Sequence, residues 1–122
     1  MFYPKSIQIK NKIIVNCLLI QLYQFYRMEA IINQLFEIEK KAVEQNVSIF
    51  ERNFNRIQHE LTEMGYKIVN PIGTNYDERD ASIDANLMSP NAKKITKVLK
   101  PVIYKMGTES YALIQKGVVI VE

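Results

Sequence analysis

The chain has no tryptophan, one cysteine, one histidine, four glycines and four prolines among its 122 residues. A lone Cys17 excludes an intrachain disulfide framework and fits a reducing compartment best, so a cytoplasmic location is expected. The scarcity of glycine and proline gives no sign of a collagen-like or low-complexity chain. The single histidine, His59, follows Gln58 one position after an apolar helix residue, which suits a helix flank better than a general base. No glycine-rich phosphate loop is present. Cys17 lies in an apolar run with no histidine nearby in sequence. Little is left from which to build an enzyme, and neither a cofactor nor a metal is expected. Asp77, Glu78, Asp80 and Asp84 could hold a hard cation. Their spacing lacks the glycine and distal glutamate of a calcium loop, so they read as a solvated turn.

Negative charge is missing from the first 27 residues. Lys5, Lys10, Lys12 and Arg27 stand there with no acid, so the net +3 of the whole chain becomes about −1 for the remainder. The body therefore lacks the electrostatic attraction that nucleic-acid binding requires, and no nucleic-acid partner is expected.

The apolar stretch from Ile13 to Tyr26 is also too short for the roughly 20 residues of a membrane span, and Asn16, Gln21 and Gln24 interrupt it. No small-residue cleavage site follows, so the resemblance to a signal peptide fails. No membrane partner is expected on this basis. Residues 1–27 read as an extension upstream of Met28, as an ordered strand or helix, or as a targeting or membrane-surface segment.

With 48% hydrophobic residues among its 122, the chain can build one ordinary domain, or one small β-domain with a helical appendage. Phe50, Phe54, Ile57, Leu61 and Met64 recur at spacings of four, three, four and three, the seam of an amphipathic helix, and Val43 and Val47 extend its phase backwards. Ile31, Leu35, Ile38 and Ala42 form a second seam, out of step with the first. Asn46 tolerates a left-handed helix stop, and Ser48 with Glu51 has the form of a capping box. Two helices are predicted, at about 29–45 and 49–64. A single helix with a drifting seam is the alternative.

A helix pair this short leaves large faces such as Phe36, Phe50 and Phe54. They can pack within the chain or against a second copy, as in a dimeric four-helix bundle or coiled coil. Phe50, Phe54, Ile57, Leu61 and Met64 are the expected dimer interface.

Gly65 is placed to end the second helix, and the period then becomes that of strands. Six are predicted: Tyr66–Val69, Ser82–Met88, Lys94–Leu99, Val102–Met106, Tyr111–Ile114 and Val118–Val121. Residues 107–110 read as a hairpin loop, and Pro101 as a break or an edge. The fold class expected is α+β: a helical region over 28–64 followed by a small all-β domain over 65–122.

The segment LTEMGYKIVNPIGTNYDERDASIDA, with Pro71, Gly73, Tyr76 and Asp77 in a Pro-x-Gly-x-x-aromatic-Asp pattern, resembles the junction between helical bundle and β-wing in GrpE proteins. The ending YALIQKGVVIVE is similar to that family's last hairpin. The resemblance covers about residues 29–121. It implies a non-enzymatic homodimeric co-chaperone whose β-domain binds the ATPase domain of a DnaK-type chaperone and promotes ADP release. By the same resemblance Tyr76, Asp77, Leu99, Ala112 and Val121 fall at partner-binding positions, although Tyr76 and Val121 could equally be core residues. The chain departs from the family in several places. Glu78 replaces a proline, a following histidine is missing, a Gly-Tyr pair is degraded near Val102 to Tyr104, and two arginines of the last hairpin fall on Ala112 and Gln115. By the same comparison, neither the family's acidic head nor its full-length paired stalk is expected in this chain. A dimeric adaptor without exchange activity is the competing expectation.

Overall fold

A computed structural model describes the backbone of residues 5–122 and the side chains of residues 15–20 and 28–122. Met1 to Pro4, and the side chains of Lys5, Lys10, Lys12 and Arg27, lie outside the described residues. The chain divides into two compact units, residues 1–32 and 33–122.

Helix α1 spans Lys5–Glu44 and helix α2 spans Glu51–Glu63. The helix predicted to start near residue 29 therefore begins much earlier. Asn16, Gln21 and Gln24 interrupt apolarity but not helicity, and no glycine or proline stands between Lys5 and Met64. With no such breaker available, the stop falls to Asn46. It adopts φ +54, where Val47 N–H donates to Ala42 O at 2.8 Å and Asn46 N–H to Val43 O at 3.2 Å. This pair of bonds is a Schellman motif, which satisfies carbonyls that the last turn leaves open.

The predicted capping box does not form. Phe50, not Ser48, is the N-cap of α2, and no side chain caps it. The helix starts too late for the Ser48 hydroxyl to reach its first turn, and the Ser48 carbonyl instead accepts from Glu51 N–H at 3.2 Å.

Helix α2 ends as expected, with Gly65 at φ +88 and its N–H donating to Thr62 O at 2.9 Å. The Lys105 ammonium donates to Met64 O at the same end, where a cation complements the helix dipole. It also lies 4.4 Å from the centre of the Tyr66 ring.

Six strands follow: β1 Tyr66–Val69, β2 Ile83–Leu87, β3 Ile95–Lys100, β4 Val102–Met106, β5 Tyr111–Gln115 and β6 Gly117–Val121. They form two three-stranded sheets, ordered β1-β4-β5 and β2-β6-β3. The first is antiparallel throughout, and residues 107–110 close the β4–β5 hairpin with Gly107 N–H donating to Ser110 O at 2.8 Å. In the second, β2 runs parallel to β6 and β3 antiparallel to it.

The chain passes between the sheets twice through a single residue, at Pro101 and at Lys116. Pro101 is buried and cannot donate to a ladder, so it suits a point where one sheet's pairing ends and the other's begins. Gly117 stands beside this crossing. A Cβ there would sit 2.8 Å from Val102 Cγ2, so only glycine allows the approach.

Strand β6 alternates inward and outward, burying Val119 and Val121 with Ile95 and Val98 of β3. Phe36 of α1 packs on this cluster, as do Tyr76, Ile83, Ala85 and Ala92. Phe36 is thus covered within the chain. Lys40, one turn on, donates to Val98 O at 3.3 Å and occupies a carbonyl of the edge strand β3.

Candidate partner-binding surface

The segment between β1 and β2 is held by its own polar side chains. Asn70 Oδ1 accepts from Ile72 N–H at 3.2 Å, and Thr74 Oγ1 donates to Pro71 O at 2.6 Å. Gly73 N–H donates to Ile95 O and Ile95 N–H to Thr74 O, so the turn is tied to the start of β3. A bridge between Asn75 and Lys94 and a 2.7 Å bond from Tyr76 N–H to Lys93 O continue the tie. Pro71, Gly73, Tyr76 and Asp77 are therefore parts of one ordered turn.

Tyr76 is half-buried against the Ile95, Val98, Val119 and Val121 cluster. Asp77 is exposed and accepts from Arg79 N–H at 3.0 Å and from Arg79 Nε at 3.4 Å. Asp80 accepts from the Ser82 hydroxyl at 2.5 Å and from Ser82 N–H at 2.9 Å. The hydroxyl bond first, and then the backbone bond, hold its carboxyl below the usual value. Asp84 lies 3.9 Å from Lys116 Nζ. Among the described residues no group of three or more His, Cys, Asp or Glu side chains could hold a metal ion.

Leu99 stands on β3 at a register shift between Val98 and Lys100. The shift leaves Leu99 as the extra residue of a bulge, a device that turns a side chain out of the ladder. It is nearly half exposed, whereas its neighbour Val98 is buried. Ala112 is exposed on β5, opposite Lys105.

Val121 is different. Its exposure is 0%, so it fills the core and offers no surface for a partner to touch. Tyr76, Leu99 and Val121 belong with the β2-β6-β3 sheet, whereas Ala112 belongs with the other sheet.

Gln115, at one of the positions expected to carry an arginine, is already engaged. It exchanges two 2.8 Å hydrogen bonds with the Asn33 amide and donates to Pro101 O at 2.9 Å. The pairing ties α1 to β5 across 82 residues of sequence, and nothing in either local pattern points to it. Sequence reasoning also passed over Lys67. Its ammonium lies 5.9 Å from the Tyr104 ring centre and 5.7 Å from that of Tyr111, beside exposed Met106, Tyr111 and Leu113. Period-two alternation through β4 and β5 was the available signal for this apolar, aromatic face.

On the helices, Leu61 is buried and α2 packs against β1. Leu61 is therefore covered inside the chain and not left for a dimer partner. Phe50 and Met64 are exposed, and Phe54 and Ile57 are half-buried. Phe50 and Phe54 meet edge to face with ring centres 6.3 Å apart. Val43 and Ile49 add further exposed apolar surface around the turn between the helices. His59 is exposed and 3.9 Å from Glu63. Cys17 is exposed, although it lies in an apolar run. Among the described residues no helix is long and apolar enough to cross a membrane.

Compared with known proteins, the chain matches no family description, no curated protein and no solved structure.

Proposed function

We propose that the chain is a GrpE-like co-chaperone: a non-enzymatic cytoplasmic homodimer whose β-domain binds the ATPase domain of a DnaK-type chaperone and promotes ADP release. The observation that carries this reading is the ordered turn Pro71-Gly73-Tyr76-Asp77, joined to a helix end at Gly65 and to two small sheets. The reading is supported by this turn following directly on a helix end and a first strand. Outward-turned Leu99 and exposed Asp77 and Ala112 give a partner something to touch without unfolding the domain.

No catalytic residue is needed. A partner that binds the open ATPase domain more tightly than the closed, ADP-holding form lowers the affinity for ADP by the same factor. Homodimerisation through Phe50, Phe54, Ile57 and Met64 is part of the proposal and is supported by the apolar surface the helices leave in water. Phe54→Asp is expected to convert a dimer to a monomer in sedimentation at micromolar concentration. A wild-type chain that is already monomeric there sinks the dimer.

A second reading is an adaptor that binds the chaperone without exchanging nucleotide. Gln115 favours it, because an amide spent on Asn33 and Pro101 cannot replace an arginine aimed at a partner. Stopped-flow release of fluorescent ADP from a DnaK-type ATPase domain separates the two. Acceleration supports exchange, binding without acceleration leaves the adaptor, and no binding at saturating concentration removes both.

A further inference from the structure

We propose that the N-terminal part of α1, over residues 5–27, lies on an anionic lipid surface. Val15, Leu18, Leu19 and Ile20 are 53%, 55%, 58% and 56% exposed. Four large aliphatic side chains exposed within six residues are unfavourable in water. Val15, Leu18 and Leu19 stand at i, i+3 and i+4, which places them on one helix face. The sequence continues that spacing through Leu22 and Tyr26, while Asn16 and Gln24 fall outside it.

Charge identifies what covers this face. Residues 1–27 carry Lys5, Lys10, Lys12 and Arg27 and no carboxylate. A second copy of the segment would set like charge against like with no acid to pair it. A layer of anionic headgroups supplies the missing sign and an apolar boundary together. Tyr23, Phe25 and Tyr26 are residue types that favour the headgroup level. A helix lying in the plane of the surface covers such a face without spanning the bilayer. The sequence-based expectation of no membrane partner rested on the missing span, and a span is not required here.

The test is co-sedimentation of the full chain with phosphatidylcholine vesicles, with and without a quarter of phosphatidylglycerol. Partitioning is expected to be about tenfold or more stronger onto the anionic vesicles and to weaken as salt rises. Leu18→Asp with Leu19→Asp abolishes it, and Lys10→Glu with Lys12→Glu, which leaves the apolar face intact, lowers it about tenfold. Thr108→Asp, which adds an acid in the exposed β4–β5 loop, leaves it unchanged. Equal partitioning onto both vesicles, or none, overturns the proposal. So does a Leu18/Leu19 variant that keeps vesicle binding, or one that only alters the oligomeric state, which would assign the face to a second copy.

Discussion

The strands and the helices of this chain treat their apolar residues in opposite ways. The two sheets bury Ile95, Val98, Val102, Ile103, Val119 and Val121 to 2% exposure or less. The helical region buries Ile32 and Leu61 but leaves Ile31, Ile38 and Val43 of α1, and Ile49, Phe50 and Met64 at the turn and the ends of α2, about half or more in water. The two-residue period of a strand needs one covering layer, and here the chain supplies it through Phe36, Tyr76 and the strands' own side chains. The helical seams are longer and out of phase with one another, so a region of this size covers only part of them. The β-region covers its core from within the chain while leaving Met106, Tyr111 and Leu113 exposed, and the helical region leaves most of its large aliphatic residues about half or more in water.

That contrast can be broken most forcefully in the sheets. Ile103→Ala removes a fully buried side chain and is expected to cost about 2–5 kcal/mol in denaturant unfolding. Ile38→Ala, half-exposed on α1, should cost under about 1 kcal/mol in the monomer. Equal losses would abolish the distinction between the two regions. A smaller effect is expected at the helix break, where Asn46→Val forces a β-branched residue to φ +54 at a cost of roughly 1–2 kcal/mol. Asn46→Gly should be neutral within a few tenths of a kcal/mol, and a neutral valine would mean that the left-handed stop is not what divides the helices.

The smallest effect concerns the turn. Ser82→Ala should raise the Asp80 carboxyl toward its ordinary 3.8, followed by NMR titration. Because the folded value is depressed, the bond's contribution is present above that ordinary value and is lost as pH falls through the lower folded one. The group is solvent-exposed, so the effect on stability is slight. An unchanged titration in the variant would show that the serine does not hold the carboxylate.

Much of this arrangement was readable from residue order. All six strands lie within a residue or so of their predicted ends, because β-branched runs between Gly, Pro and Asn-Pro punctuation leave few alternatives. Asn46 and Gly65 were readable as stops because both residue types tolerate the positive φ that each adopts. The start of α1 was not readable, since the amides at 16, 21 and 24 look like interruptions on a hydropathy scale and are ordinary helix residues sterically. Nor was the pairing of strands. The parallel β2–β6 contact and the Asn33–Gln115 bond depend on where distant segments meet, which no local period encodes. At the candidate surface, the ordered turn was legible as a motif. The outward bulge at Leu99 and the burial of Val121 depend on register with β6, and register is a property of the sheet.

In the proposed function, the β-domain distinguishes two states of a chaperone's ATPase domain. This distinction is tested most directly by titrating the full chain against that domain in its nucleotide-free and ADP-loaded forms by calorimetry. Clearly tighter binding to the nucleotide-free form is expected, about tenfold or more, with ADP affinity weakened by the same factor when the chain is bound. Equal affinity for the two forms would contradict it, because a ligand that binds both states alike cannot drive nucleotide out.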